Sequence, residues 1–219
     1  MVLGITKPSS GSFEWFEGEA ALPRKQRMGA LLETPNFYPY LSAVKNLEIV
    51  AAIKELKHPN IDEVLQTVNL FDRKNDKFKT YSLGMKQRLA IASALLCEPD
   101  FLVLDEPTNG LDPSGIAEVR AIINNIANRG ITVLMASHIL VEVEKLCTHV
   151  AVLRKGELLY DGPVEGLSQH QGLVELKAAN TQALEEALAS YPHTEKTFRE
   201  GALTMLLLKE EIEMDELNR

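Results

Sequence analysis

No glycine in this 219-residue chain is followed by lysine. The pattern G-x-x-x-x-G-K-[ST], whose backbone amides cradle phosphates, is therefore missing. Cysteine is scarce as well. Cys97 and Cys147 are the only two, far apart and without metal-ligand spacing. That excludes a disulfide framework and a thiolate zinc site, and reads as reduced thiols in a cytosolic protein. No apolar run approaches the length of a membrane span, and no signal-peptide pattern is read. Any membrane role would have to run through a partner. Basic charge is also in deficit: the net charge is −8. An acidic chain is a poor default binder of nucleic acid, so no nucleic-acid partner is expected. Internal repeats and low-complexity tracts are absent.

What is present is ordinary globular material, 45% hydrophobic and 25% charged, enough for one good core and a small appended domain. Met1–Ile5 reads as the end of a helix, Lys7-Pro8-Ser9-Ser10-Gly11 as a turn, and Ser12–Phe16 as a strand carrying Trp15. Met28–Leu32 is a short buried strand ending at Glu33. Ser42 can cap a helix with Leu47, Val50, Ala51 and Lys54 on one face, and Asn60 can cap a second carrying Val64, Leu65 and Val68. Arg73–Lys79 is a charged, solvated loop.

From Ser82 onward the pattern is α/β. A helix runs to about Cys97 and stops at Pro99, and the strand Phe101–Leu104 follows. Asp112-Pro113 opens a helix with an apolar stripe of Ile116, Val119, Ile122, Ile123 and Ile126, closed by Gly130. Ile131–Ala136 is an unbroken apolar strand, Leu140–Leu146 a short helix, and Val150–Leu153 and Glu157–Tyr160 strands around a Lys155-Gly156 turn. Strands alternating with helices predict right-handed crossovers and a parallel core. Beyond Gly162-Pro163 the character changes to a small α+β appendage: strand 173–177, helix 181–190, strand 203–208.

The chemistry concentrates at strand ends. Asp105 and Glu106 are adjacent carboxylates at the carboxyl end of a buried strand, where open α/β sheets bind ligands. Paired acids there suit magnesium and a water nucleophile. Ser82 and Gly84 at a helix start offer free backbone N–H groups and a hydroxyl, an anion site that is equally a simple N-cap. His138 ends the next strand. His58, His149, His170 and His193 have no such context.

Taken together, the order and spacing resemble the ATP-binding cassette (ABC) family. Tyr81-Ser82-Leu83-Gly84-Met85 resembles the family's L-S-G-G-Q signature. Phe101–Asp105 resembles its Walker B strand with Glu106 directly after, Gly110-Leu111-Asp112 its D-loop, and His138 its switch histidine. Lys7–Gly11 is similar to the K-P-T-S-G turn after the family's first helix, and Met28–Glu33 to the strand leading into the Q-loop. The tail after Pro163 resembles the C-terminal extension of single-cassette exporter subunits.

The resemblance implies a fold with an ABC-ATPase-like parallel sheet flanked by helices and a helical subdomain at about 42–98. Residues 1–163 would form the partial nucleotide-binding domain and 164–219 a partial C-terminal extension, the whole incomplete at the N-terminus because the Walker A loop would lie before Met1. It also implies ATP and magnesium as ligands, with Asp105 and Glu33 toward the metal. Glu106 would polarise the attacking water, and His138 would sense the γ-phosphate. Ser82 and Gly84 would serve a nucleotide held by an opposite subunit, and Asp112 would couple the two cassettes. Implied partners are an integral-membrane permease and a second ABC subunit, placing the chain in the cytoplasm on the inner face of the membrane.

Three departures stand out. Leu83 and Met85 replace Gly and Gln in the signature, Glu33 replaces the Q-loop Gln, and Walker A is missing. Glu33 followed by Pro35, Phe37-Tyr38-Pro39 and Leu41 is similar to the bacitracin and lantibiotic self-protection branch. The expectation is a transporter-ATPase fragment that is inactive alone. A second expectation is a non-catalytic subunit offering Ser82 and Gly84 to an intact partner. A DNA-repair or translation cassette is disfavoured by the acidic charge and the lack of coiled-coil insertions or tandem cassettes.

Overall fold

The structure is a computed structural model that describes residues 3, 6–12, 27–32, 35–165, 173–176, 181–190, 194–200 and 203–208. Glu33, the expected opening helix apart from Leu3, and the expected strand at Ser12–Phe16 apart from Ser12 lie outside the described residues. Two compact units divide the chain, 1–138 and 139–219.

The first unit is built on a parallel sheet of β1 (Met28–Leu31), β2 (Phe101–Asp105) and β3 (Thr132–Ala136), with β2 in the centre. Met28 pairs with Phe101 and Leu31 with Leu104, while Phe101 pairs with Thr132 and Asp105 with Ala136. This register lines up the carboxyl ends of β2 and β3, so whatever follows Asp105 lies beside whatever follows Ala136. Among the described residues four α-helices accompany the sheet: α1 (Ala43–Ile53), α2 (Ile61–Thr67), α3 (Leu83–Leu95) and α4 (Pro113–Asn128). Each starts on the cap its sequence advertises. Ser42, Asn60, Ser82 and Asp112 accept from the amides of Lys45, Glu63, Met85 and Gly115 respectively.

The core follows from these faces. Leu102 and Leu104 point to one side of β2 and are wholly buried, with Leu89, Ile91, Val119 and Ile126 among the most buried side chains. α3 lies close against β1 because residue 29 is glycine. A Cβ there would sit 2.4 Å from the Ala94 carbonyl oxygen, closer than any atom pair tolerates. On α4, Val119, Ile122, Ile123 and Ile126 are buried as expected, and Gly130 at φ +89° ends the element. The opposite side of the sheet is different: Ala30, Asp105, Thr132, Leu134 and Ala136 are exposed. Parallel sheets normally have both faces covered.

Asn46 escapes a reading based on apolar spacing. It is 1% exposed, and its side chain knots the preceding loop. Oδ1 accepts from the Tyr38 amide (2.8 Å), and Nδ2 lies within reach of the carbonyls of Ser42, Tyr38 and Leu41 (3.0, 3.2 and 3.4 Å). The 73–79 stretch, expected as a solvated loop, is also built in. The turns Phe71–Arg73 and Phe78–Thr80 flank it, and Phe78 N–H donates to Leu41 O and Lys79 N–H to Pro39 O, both at 2.9 Å.

In the second unit, α5 (Leu140–Leu146) precedes β4 (His149–Arg154) and β5 (Glu157–Pro163). Here the expected alternation breaks. β4 takes β5 as an antiparallel partner in a separate two-stranded sheet. The reason is the two-residue turn, in which Lys155 and Gly156 both have positive φ (49° and 84°), the hairpin geometry. A three-stranded antiparallel sheet in the order β6-β8-β7 follows: β6 (Leu173–Leu176), β7 (Thr194–Glu200) and β8 (Leu203–Leu208), with helix α6 (Thr181–Ser190) between β6 and β7. Strand β7 is an element that its polar composition hid.

Candidate functional site

The site is assembled at the carboxyl ends of β2 and β3. Asp105 is the last residue of β2 and is exposed. Glu106 comes next with φ +46°, a left-handed conformation that costs of order 1 kcal/mol or more in a non-glycine residue. The backbone is held there by Glu106 N–H donating to Ala136 O at 3.0 Å and Asn109 N–H donating to Glu106 O at 3.1 Å. The strained turn aims successive carboxylates in different directions. Asp105 goes to solvent, while Glu106 is pulled toward β3, its side chain 21% exposed.

There it meets His138. The ring Nδ1–H donates to Glu106 Oε1 at 2.9 Å. Because a carboxylate only accepts, this fixes the imidazole tautomer and leaves Nε2 facing outward on a side chain 67% exposed. The other oxygen, Oε2, is buried with no hydrogen-bond partner. Thr108 Oγ1, two residues on, is equally buried and unpartnered. Orphaned polar atoms of this kind are costly in a native fold unless something pairs with them; the carboxylate oxygen needs a donor, while the hydroxyl can donate or accept, and water serves both. Thr108 had no sequence signal beyond its place in the Pro107-Thr108-Asn109 turn.

A second grouping forms where the starts of α3 and α4 pack together. A Cβ on Gly110 would meet Leu83 Cδ2 at 3.3 Å, and one on Gly84 would find Gly115 Cα at 3.9 Å and Leu111 Cδ2 at 4.0 Å. Ser82 Oγ accepts from Met85 N–H (3.2 Å) and Asp112 Oδ1 from Gly115 N–H (2.9 Å), so both act here as N-caps. A Cβ on Gly115 would be 2.8 Å from Asp112 Oδ1, the tip of a side chain, so any larger residue there would displace the capping carboxylate. Around Gly84 the clearance is ordinary, so packing alone does not explain a glycine there.

The six candidates that fall in the described part thus gather as Asp105, Glu106 and His138 on one side, and Ser82, Gly84 and Asp112 on the other. Glu33, the remaining one, lies outside the described residues. Among the described residues no group of three or more His, Cys, Asp or Glu side chains could hold a metal by itself. One exposed aspartate fits magnesium only as part of a set completed by phosphate oxygens and water, the usual mode for that ion. The sequence holds no G-x-x-x-x-G-K-[ST] loop, and among the described residues no amide cradle with a lysine takes its place at the strand ends.

A parallel sheet with paired acids and a histidine at its strand ends, and a serine-capped helix beside a D-P turn, defines an ATP-binding cassette. The chain belongs to the ABC transporter family, whose sequence profile matches residues 1–109. It is 46% identical to the bacitracin transport ATP-binding protein BcrA of Bacillus licheniformis, over 77% of this chain and 57% of that protein. It is 38% identical to the ABC transporter ATP-binding protein YdbJ of Bacillus subtilis, covering 100% of this chain and 72% of the relative. The lantibiotic transport ATP-binding protein SrtF of Streptococcus pyogenes is 39% identical, over 76% of this chain and 72% of that one. Among solved structures, cbiO1 of Clostridium perfringens, part of the ABC transporter complex cbiONQ, superposes with a TM-score of 0.66 at 25% identity, over 87% of this chain and 76% of that one. The chain thus spans just over half the length of the Bacillus licheniformis relative and 72% of the other two relatives' lengths. Among the described residues no helix is long and apolar enough to cross a membrane.

Proposed function

We propose that this chain is the hydrolytic part of an ATP-binding subunit from an antibiotic-peptide or lantibiotic exporter, lacking the part that grips the nucleotide. The observation that carries the reading is the arrangement at the strand ends: Asp105 to solvent, Glu106 bonded to His138 (2.9 Å), and Glu106 Oε2 buried without a partner. In the complete site Asp105 would supply a carboxylate to magnesium, and the family resemblance would add Glu33. Glu106 Oε2, an acceptor without a protein partner, would orient a water, and His138 would report on the terminal phosphate. With Nδ1–H committed to Glu106, the imidazole can donate through Nε2 only when cationic, or after that bond breaks. Ser82, Gly84 and Asp112 serve the interface with a second cassette.

The exposed apolar residues on one side of the sheet, Leu134 at 45% among them, support a fragment reading, because such a face needs a cover. In this account the nucleotide-binding part covers 1–163 with its helical subdomain at about 42–98, and 164–219 is the C-terminal extension. The likeness to BcrA and SrtF supports the substrate class. The chain then works on the cytoplasmic face of the membrane through a permease, with a second ABC subunit and without nucleic acid. The clearance around Gly84 supports the alternative of a non-catalytic subunit donating its signature to an intact partner.

A chimera tests the reading. The segment of BcrA that precedes the matched region is joined to this chain, and magnesium-dependent ATPase is measured. Activity that falls by about 10²-fold or more in Glu106→Gln is expected from loss of a general base. A folded, ATP-binding chimera without activity, or one indifferent to Glu106→Gln, contradicts it.

A further inference from the structure

We propose that the cleft between α2 and α4 binds a free α-amino acid with an aliphatic side chain, such as leucine. Two cavities meet there, of about 310 and 240 Å³, and Glu63, Thr67 and Arg129 line both. Their size is at the small end of the range for ligand sites, roughly 300–1,000 Å³, which suits a small metabolite. Pro99 and Ile131 line the smaller cavity and lead into β2 and β3. The cleft therefore lies at the amino ends of these strands, whereas Asp105 and His138 stand at the carboxyl ends.

The lining divides by chemistry. The larger cavity adds the side chains of Gln66, Asn69 and Asn125 to the shared three. The smaller one is walled by Val64, Leu95, Leu96 and Ile126, all buried. Charge is the decisive feature. Arg129 is the C-cap residue of α4, where the negative end of the helix favours a cation. Its Nη1 lies 3.4 Å from Thr67 Oγ1. Glu63 faces the same space, and its Oε2 accepts from the Asn60 carboxamide, leaving Oε1 for a ligand. Acid and base nevertheless form no ion pair, with each other or with any other described residue. Glu98 adds a second acid to the smaller cavity. Carboxylates beside a helix C-terminus are disfavoured, so the cleft calls for a further cation. A zwitterion meets each demand. Its carboxylate accepts from the guanidinium of Arg129 and its ammonium donates to Glu63, while an aliphatic side chain covers the apolar wall. The inference goes beyond the nucleotide reading, and its test contains no nucleotide, so the two fail separately.

The test is isothermal titration calorimetry of the purified chain with L-leucine, and saturable binding is expected. Glycine lacks the aliphatic group, N-acetyl-leucine the ammonium and 3-methylbutylamine the carboxylate. Each should bind at least about tenfold more weakly. R129Q and E63Q should each weaken leucine binding about tenfold or more. K145Q changes a charge outside the cleft and should leave binding as it was, with circular dichroism confirming that all three variants are folded. No saturable binding at millimolar leucine, equal binding of glycine, or undiminished binding in either R129Q or E63Q overturns the proposal. N-acetyl-leucine binding as tightly as leucine also overturns it, in favour of a peptide C-terminus.

Discussion

Replacing Asn46 with leucine keeps the side chain's size and removes every polar contact beneath the Tyr38–Ser42 loop. The carbonyls lose little. Tyr38 O keeps the Leu41 amide (3.2 Å), Leu41 O keeps that of Phe78 (2.9 Å), and Ser42 O keeps that of residue 46 (3.0 Å). The Tyr38 N–H is different, because Asn46 Oδ1 is the acceptor it is given. Stranding one part-buried donor costs about 1–3 kcal/mol, and the lost amide bonds add about 1 more. Burying a leucine returns part of that. The net expectation is about 2–3 kcal/mol, or a fall of roughly 5–10 °C in the melting temperature of the first unit. Urea and thermal unfolding followed by circular dichroism measure it. Asn46→Asp gives a sharper readout. A carboxylate still accepts from Tyr38 but faces three carbonyls with no proton to offer. Facing those carbonyls holds the carboxyl above its ordinary value in the folded state, so its destabilisation should be present at neutral pH, shrink as the pH falls toward about 4 and be gone below that. A loss below about 0.5 kcal/mol in Asn46→Leu, or no pH dependence in Asn46→Asp, refutes the reasoning.

Other substitutions separate fold from function. Gly29→Ala forces a Cβ to within 2.4 Å of the Ala94 carbonyl and should cost at least about 2 kcal/mol in urea unfolding. Gly84→Ala, with clearances of 3.9 Å and more, should leave stability within about 1 kcal/mol; a large loss would return Gly84 to a purely structural role. The Tyr81 phenol is held above its ordinary value, first by burial and then by Asp76. Its contribution is therefore complete below about pH 10 and disappears as the pH rises further. That alkaline loss should be shallower in Tyr81→Phe, which also forfeits the 2.7 Å bond to Arg73 O. Burial likewise pushes the Cys147 thiol up, so in a Cys97→Ser background iodoacetamide should label it slowly near pH 8 and quickly in urea.

The parts legible in the sequence were those governed by neighbours along the chain. Ser42, Asn60, Ser82 and Asp112 cap the helices they announce because capping is local chemistry. The stripe Val119, Ile122, Ile123 and Ile126 is buried because a 3.6-residue period leaves no other face for it. Less legible was whatever depends on distant partners. The strand at 150–153 carries no mark of parallel or antiparallel pairing, and its choice of β5 rests on two positive φ values in the Lys155-Gly156 turn. β3 is apolar throughout, which reads as burial on both sides, yet Leu134 is 45% exposed. Within the site, residue types and spacing pointed to Asp105, Glu106 and His138. Nothing in them foretold the left-handed Glu106 backbone, the hydrogen bond to His138, or the buried Thr108 hydroxyl. Those arise from register, with Asp105 opposite Ala136, a property of the assembled sheet.

The central claim is a division of labour: this chain holds the acids and the histidine for hydrolysis but not the groups that hold the nucleotide. Equilibrium titration of the purified chain with a fluorescent ATP analogue and magnesium addresses it most directly. The account predicts no saturable binding at micromolar nucleotide. Tight, magnesium-dependent binding that is lost on substitution of Asp105 would contradict it.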